Sequence, residues 1–130
     1  MTTNTTSVEA FIKVIPKVAS PEVCANIIES TRDSPYWKAA EVVGGGVASH
    51  ARNCDVLSIS TLATGGVDLY QELDQTLFAI ASKVVNAYSD DHPLNITRDI
   101  GYTLLRYEVG QFYVQHTDSC PLSNVRSLAR

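Results

Sequence analysis

Two side chains near the end of this 130-residue sequence have types and a spacing suited to metal chemistry, His116 and Asp118. Side chains two positions apart in an extended strand point to the same side, so this imidazole and carboxylate would face one point. Together they supply two thirds of the two-histidine, one-carboxylate set that holds non-haem Fe(II) and leaves positions open. No histidine follows His116 before the last residue, Arg130, and we therefore expect the third ligand to lie outside this chain.

A histidine and an aspartate at this spacing are a weak signal alone, and a surface pair at a strand end is the alternative interpretation. The context favours a metal site, because Phe112 and Val114 form an apolar stripe that leads to the pair. Other chemistries have less support. Cys120 follows His116 by four residues, but the sequence around it has no pattern typical of a catalytic cysteine. His116, Asp118 and Cys120 alone give little support for a zinc site, which normally has three or four ligands. We expect His50 and His92 not to be ligands, with His92 in a solvated loop before a proline.

Composition limits the classes of function that the chain can serve. A length of 130 residues fits one domain with one core, and a net charge of −4 argues against a broad nucleic-acid surface. No apolar run reaches the ~20 residues that span a bilayer, and no signal-peptide pattern opens the sequence. The cysteines, Cys24, Cys54 and Cys120, are odd in number and widely spaced, which indicates reduced thiols in a cytoplasmic protein.

Two helices are predicted to support the strand that carries His116. Ser20-Pro21-Glu22 is typical of a helix start, with a serine N-cap and a proline in the first turn, and the helix should run to about residue 32. A longer amphipathic helix is predicted over about 67–88. Its apolar residues recur at steps of three and four: Leu69, Leu73, Leu77, Ile80 and Val84. Such a stripe indicates a helix that covers a sheet.

The strand predictions rest on the alternation of apolar and polar residues and on the glycines and prolines that end each run. The predicted strands are 11–15, 56–60, 102–109 and 112–118, with a bend at Gly110. Residues 1–8 are predicted to be a disordered tail, and the glycines at 44–46 a mobile loop. For Tyr36 and Trp37 we favour a position at the edge of the core over contact with a substrate.

The segment 107–118, Tyr-Glu-Val-Gly-Gln-Phe-Tyr-Val-Gln-His-Thr-Asp, resembles the prolyl 4-hydroxylase branch of the Fe(II)/2-oxoglutarate-dependent dioxygenases. That family shows an arginine-tyrosine pair, a Gly-Gln pair, an aromatic residue three positions before the histidine, and His-x-Asp. The matching residues here are Arg106-Tyr107, Gly110-Gln111, Tyr113, and His116 with Asp118. The helix start at 20–24, Arg52 and the long helix also follow the order seen in the family.

The resemblance implies a role for each matching residue. His116 and Asp118 would be Fe(II) ligands, Tyr107 would reach the 2-oxoglutarate carboxylate, and Tyr113 would line the site. Arg126 is similar to the arginine that begins the next strand of the barrel. The implied cofactors are Fe(II) and 2-oxoglutarate, with ascorbate as an auxiliary. The implied reaction uses oxygen and 2-oxoglutarate to hydroxylate a peptidyl proline, and it releases succinate and carbon dioxide.

The resemblance also implies an α+β fold, a double-stranded β-helix (jelly roll) with two helices packed on the sheet. Residues 1–130 would then be one domain that forms the N-terminal part of an oxygenase domain, incomplete and poorly active alone. We expect a proline-containing peptide or protein substrate, no nucleic acid or membrane partner, and dimerisation through an open sheet edge as a further hypothesis. The alternative function is a non-catalytic peptide-binding or assembly module that keeps the hydroxylase-like front half.

Overall fold

The computed structural model describes residues 7–42, 45–93 and 95–116. Within these residues the fold is mixed α+β, with three α-helices and two small antiparallel sheets. The helices are Pro21–Thr31 (α1), Ile59–Thr64 (α2) and Asp68–Ser89 (α3). The strands are Lys38–Ala39 (β1), Arg52–Asn53 (β2), Asp55–Ser58 (β3), Thr103–Arg106 (β4) and Phe112–Tyr113 (β5). None of the described helices combines the length and the apolar character that crossing a membrane requires.

One sheet has the strand order β1-β3-β4, and the other pairs β2 with β5. In the antiparallel β2–β5 pair, Arg52 lies opposite Tyr113 and Asn53 lies opposite Phe112. Burial alternates along β4, with Leu104 and Arg106 more buried than their neighbours. The alternation predicted for this strand is therefore confirmed, although the strand is shorter than predicted.

The first predicted helix is confirmed, and its start is the predicted one. The Ser20 side chain accepts a hydrogen bond from the backbone N–H of Val23 at 3.3 Å, and Pro21 occupies the first turn. This serine satisfies one of the N–H groups that a helix start leaves without an intrahelical partner. Val23 and Ile27 are half-buried, whereas Ile28 is exposed. The buried face of α1 is thus narrower than the sequence pattern suggested.

The chain divides into two compact units, each described by itself. Unit 1 comprises residues 1–38 and 56–105, and unit 2 comprises 39–55 and 106–130. The core of unit 1 consists of four buried side chains: Leu57, Ile59, Tyr70 and Leu73. Trp37 packs against this core and donates its Nε1–H to the carbonyl of Thr31 at 2.7 Å, which confirms its place at the core edge.

The strand predicted over 11–15 is wrong. A short 3-10 helix, Val8–Phe11, comes first, and the residues after it join neither sheet. Two backbone oxygens of this 3-10 helix bind side chains near the end of α3. The Tyr88 hydroxyl donates to the carbonyl of Phe11 at 2.9 Å, and His92 Nε2 donates to that of Ala10 at 2.7 Å. Carbonyl oxygens that accept hydrogen bonds from these side chains do not pair with a neighbouring strand.

The same contacts correct the prediction for His92. Its ring stacks on Tyr88 with 4.7 Å between the ring centroids, and it is half-buried rather than solvated. A polar ring in such a position needs a hydrogen-bond partner, which the Ala10 carbonyl supplies. Within unit 1, His92 therefore has a structural role in fixing the segment that precedes α1.

The strand predicted over 56–60 is right in part. β3 ends at Ser58 and the chain then turns into α2, which the alternation did not predict. The alternating burial is nevertheless real, because Leu57 and Ile59 are both fully buried. Within α2 the carbonyl of Ser60 accepts a hydrogen bond from the Thr64 hydroxyl at 2.8 Å, one helical turn later.

The predicted strand over 112–118 is also shorter in the structure. β5 covers only Phe112–Tyr113 because its partner β2 has two residues. His116 lies beyond the end of β5, so the same-face argument from strand geometry does not apply to it. Asp118 lies outside the described residues, as do Cys120, Arg126 and positions 1–6 of the predicted tail.

Candidate functional site

The segment that carries the sequence motif begins with a tight turn in unit 2. Gly110 has a φ of +87°, a left-handed conformation that glycine adopts without strain. Gln111 closes the turn twice: its N–H donates to the carbonyl of Glu108 at 2.9 Å, and its side-chain Oε1 accepts from the N–H of Glu108 at 2.7 Å. This turn explains why a Gly-Gln pair stands between Tyr107 and Tyr113.

Beyond the turn, Tyr113 contacts two side chains that can carry positive charge. The guanidinium carbon of Arg52 lies 4.8 Å from the Tyr113 ring centroid, in a cation–π arrangement. The His116 ring stacks on Tyr113 with 3.7 Å between centroids and an interplanar angle of 19°. The strand pairing positions the first contact, because Arg52 and Tyr113 are directly opposite in β2 and β5. Tyr113 is therefore the centre of a small cluster that includes the predicted ligand His116.

The tautomer of His116 follows from its backbone contact. Its Nδ1 lies 2.9 Å from the carbonyl oxygen of Val114, and because a carbonyl only accepts, Nδ1 is the donor. In the neutral ring this places the lone pair on Nε2, the arrangement common in histidines that bind metals. The side chain is exposed. In this tautomer Nε2 is the acceptor nitrogen of His116, and the residue lies outside any strand.

Tyr107 is the second motif residue that unit 2 brings to this cluster. A hydrogen bond with Cys54 raises the pKa of the Tyr107 phenol, and partial loss of solvent adds to this effect. Arg52 acts in the opposite direction through its charge, while Tyr113 raises the pKa slightly further. The phenol consequently keeps its proton at neutral pH and serves as a hydrogen-bond donor.

The arginine of the Arg-Tyr pair has a structural role in the same unit. Arg106 Nη2 forms an ion pair with Asp55 Oδ2 at 2.9 Å, and its Nε lies 4.0 Å from Glu108. Both side chains of the closer pair are about one third exposed, at 36% and 30%. Its positive charge is therefore balanced by neighbouring carboxylates, which Arg52 lacks among the described residues.

Three of the four predicted site residues, Tyr107, Tyr113 and His116, belong to unit 2, and the rings of Tyr113 and His116 are in contact. The fourth, Asp118, lies outside the described residues. Within the described ranges, no group of three or more His, Cys, Asp or Glu side chains could hold a metal ion. The predicted iron site consequently rests on one described ligand.

Two residues of the cluster had no site role in the sequence analysis. Arg52 was noted only for its place before a strand, and Cys54 only as a reduced thiol. Their signal is positional: both belong to the segment 52–55, which lies beside the motif only after β2 pairs with β5. A pairing between segments about sixty residues apart is not visible in local periodicity.

Comparison of the chain with protein-family models, curated proteins and solved structures found no match.

Proposed function

We propose that this chain is the front part of an Fe(II)/2-oxoglutarate-dependent dioxygenase of the prolyl 4-hydroxylase type, acting on a proline in a peptide or protein. The observation that carries the proposal is the stacking of His116 on Tyr113 in unit 2, in the segment that also contains Tyr107. The motif selected these residues by their types and order alone. Contact between two of them in space is what a common site requires.

The described donors fit the implied cofactors. His116 would bind iron through Nε2, because Nδ1 donates to the carbonyl of Val114, and Asp118 would be the second ligand. Iron and 2-oxoglutarate, when bound, would supply the oxygen-dependent oxidation. Tyr107 would donate its phenolic proton to a carboxylate oxygen of the cofactor, a role that its raised pKa favours. Tyr113 would hold the imidazole in place by stacking.

The finer architecture belongs to the same proposal. We infer that the small antiparallel sheets are the first part of a double-stranded β-helix, whose remaining strands and third iron ligand follow later in a complete domain. The order of the elements supports this inference, because α1 and α3 precede the motif segment. A cytoplasmic location is proposed from the thiols, since Cys24 and Cys54 are both free.

Metal titration tests the proposal directly. Manganese(II) bound by the chain should be detectable by electron paramagnetic resonance at millimolar metal, because a partial ligand set binds weakly. We expect His116→Ala to abolish this binding. His50→Ala, a change at an exposed histidine outside the cluster, is the matched control and should leave binding intact. Equal binding by wild-type protein and a folded His116→Ala variant would contradict the proposal.

One observation favours a second candidate, the non-catalytic peptide-binding or assembly module. Phe112 and Val114 flank Tyr113 and are 43% and 44% exposed, which leaves an apolar stripe beside the cluster. Such a surface could hold a peptide without any metal chemistry. This function predicts that a proline-containing peptide binds the chain, and that binding is lost in Phe112→Ser and unchanged in His116→Ala. The dioxygenase proposal predicts instead that metal binding is lost in His116→Ala and kept in Phe112→Ser.

A further inference from the structure

A cavity of about 350 Å³ lies beside α3 in unit 1. One wall is a face of the helix that includes Phe78, Ser82 and Val85, which recur at steps of four and three and therefore lie on one side of α3. The other wall is the segment 96–102, which contributes Ile96. Small-molecule sites in proteins occupy about 300–1,000 Å³. The cavity therefore has the size of a site for a small organic ligand.

The walls of this cavity carry apolar side chains that are open to solvent. Phe78 and Ile96 are 54% and 53% exposed, and Ala81 and Val85 line the same cavity. A ligand that covers these side chains with an apolar group removes apolar surface from water, which favours binding. The apolar part of the cavity thus selects a ligand that has an apolar side chain.

Two charged side chains of opposite sign, Arg98 and Asp99, also line the cavity. Arg98 forms no ion pair with a carboxylate in the part of the chain that the structure describes, and this includes its neighbour Asp99. The hydrogen bond from the Tyr102 hydroxyl lowers the pKa of Asp99, so the carboxylate is ionised at neutral pH. The cavity consequently presents one positive and one negative group that are not paired with each other.

The carboxylate of Asp99 is held in place by its own segment. Its Oδ2 accepts from the Tyr102 hydroxyl at 2.6 Å, and its Oδ1 accepts from the N–H of Gly101 at 2.7 Å. Each carboxylate oxygen can accept a further hydrogen bond, and the side chain is exposed. A group restrained in this way loses little conformational freedom when a ligand binds. Asp99 can therefore accept hydrogen bonds from an ammonium group that enters the cavity.

We infer that this cavity binds a free apolar α-amino acid of the size of leucine or phenylalanine. The planar fork of Arg98 binds the ligand carboxylate, Asp99 accepts from the ligand ammonium, and the ligand side chain covers Phe78. A residue inside a peptide carries neither of these charges, and a fatty acid lacks the ammonium group. The inference uses residues of unit 1 alone and does not rest on the proposed function, whose residues belong to unit 2.

Titration of the isotope-labelled chain with L-leucine and L-phenylalanine, followed by amide chemical shifts in NMR spectra, tests the inference. We expect saturable shifts at millimolar ligand, mainly in residues 78–86 and 96–102. Arg98→Gln should weaken the binding of leucine by about tenfold, as for other charged hydrogen bonds. Phe78→Ser should weaken it severalfold, because part of the apolar wall is lost. Both side chains are exposed, so both variants should fold.

Two analogues of leucine, each without one charge, assign the role of Arg98. Isocaproate lacks the ammonium group and isoamylamine lacks the carboxylate, and both should bind more weakly than leucine. Arg98→Gln should weaken the binding of isocaproate and should not weaken that of isoamylamine. The matched control is Arg32→Gln, which removes the same charge from an exposed ion pair with Glu29 in unit 1 and should keep the wild-type affinity for leucine.

The outcomes separate this inference from the proposed function. The amino-acid site is refuted if neither leucine nor phenylalanine gives saturable shifts at millimolar concentration, or if folded Arg98→Gln binds leucine as the wild type does. Isocaproate that binds as tightly as leucine would also refute it, because the ammonium group would then not be recognised. Binding of leucine that depends on Arg98 and is unchanged in His116→Ala supports the site. A failure of manganese binding would remove the iron proposal alone.

Discussion

At the scale of single residues, Asp99 and Tyr102 form a hydrogen-bonded pair within a larger polar network of unit 1. The Tyr102 hydroxyl donates to Asp99 Oδ2 at 2.6 Å, and the N–H of Gly101 donates to Asp99 Oδ1 at 2.7 Å. Ser60 extends the network, because its Oγ accepts from the N–H of Tyr102 at 2.6 Å and donates to Asp74. Gly101 permits this close approach, since a Cβ there would lie 2.7 Å from the Ser60 side chain.

The pair makes the stability of unit 1 depend on pH in the alkaline range. The hydrogen bond to Asp99 raises the pKa of Tyr102 to about 12, with burial and nearby negative charge adding to the effect. A phenol whose pKa is higher in the folded state contributes stability in full below its unfolded pKa of about 10. That contribution should disappear between about pH 10 and about pH 12. Urea unfolding of the wild-type protein at a series of pH values from neutral upward measures the loss.

Two variants test the assignment. Tyr102→Phe has no phenol to ionise and should show a flatter stability curve above pH 10. Asp99→Asn removes the charge that holds the proton and should flatten the same part of the curve. A decline as steep in Tyr102→Phe as in the wild type would assign the alkaline loss to another group.

At the scale of elements, the start of α1 depends on one side chain. Replacing an N-cap serine by alanine typically costs about 1 kcal/mol of stability. We expect Ser20→Ala to lower the free energy of unfolding by about this amount, because the N–H of Val23 loses its acceptor. Equilibrium unfolding in urea measures the change. Ser20→Asp, which also caps, is the matched control and should keep wild-type stability; an equal loss in both variants would show that the cap is not the cause.

The elements that could be predicted are those specified by local signals. A serine cap with a proline specifies α1, and apolar residues that recur over about four turns specify α3. Strand lengths could not be predicted, because β5 ends where its distant partner β2 ends. Residues 11–15 alternate like a strand, but the carbonyls of Ala10 and Phe11 at the start of this segment bind His92 and Tyr88, a tertiary effect that outweighs local pattern.

The same distinction between local signals and tertiary pairing applies to the residues of the candidate site. The contact between Tyr113 and His116 is of the kind that sequence can indicate, because the two residues are three positions apart in one motif. Arg52 and Cys54 could not be predicted, because only the pairing of β2 with β5 brings them beside that motif. The tautomer of His116 also depends on the chain leaving the strand after Tyr113, which places the Val114 carbonyl against Nδ1.

At the scale of the whole molecule, buried apolar side chains are unequally divided. The large ones, Leu57, Ile59, Tyr70 and Leu73, all belong to unit 1, whereas the buried residues of the described part of unit 2 are Ala40 and Cys54. Burial of apolar surface is the main source of stability in a folded chain. Unit 2 therefore has less of its own stabilisation, and a bound ligand would contribute a larger share of it.

This difference predicts a distinct pattern of amide hydrogen exchange. Backbone amides in the middle of α3 should exchange slowest, and those of 106–116 and 39–55 should exchange faster. Adding 2-oxoglutarate with manganese(II) should slow exchange in unit 2 by up to about 100-fold when ligand is at 100 times Kd, because binding stabilises only the closed form. Mass spectrometry of peptic fragments measures both effects. His116→Ala should lose the ligand-induced part and keep the slow exchange of α3, since that helix belongs to the core of unit 1. Ligand-induced protection confined to α3 would mean that the carboxylate binds outside unit 2.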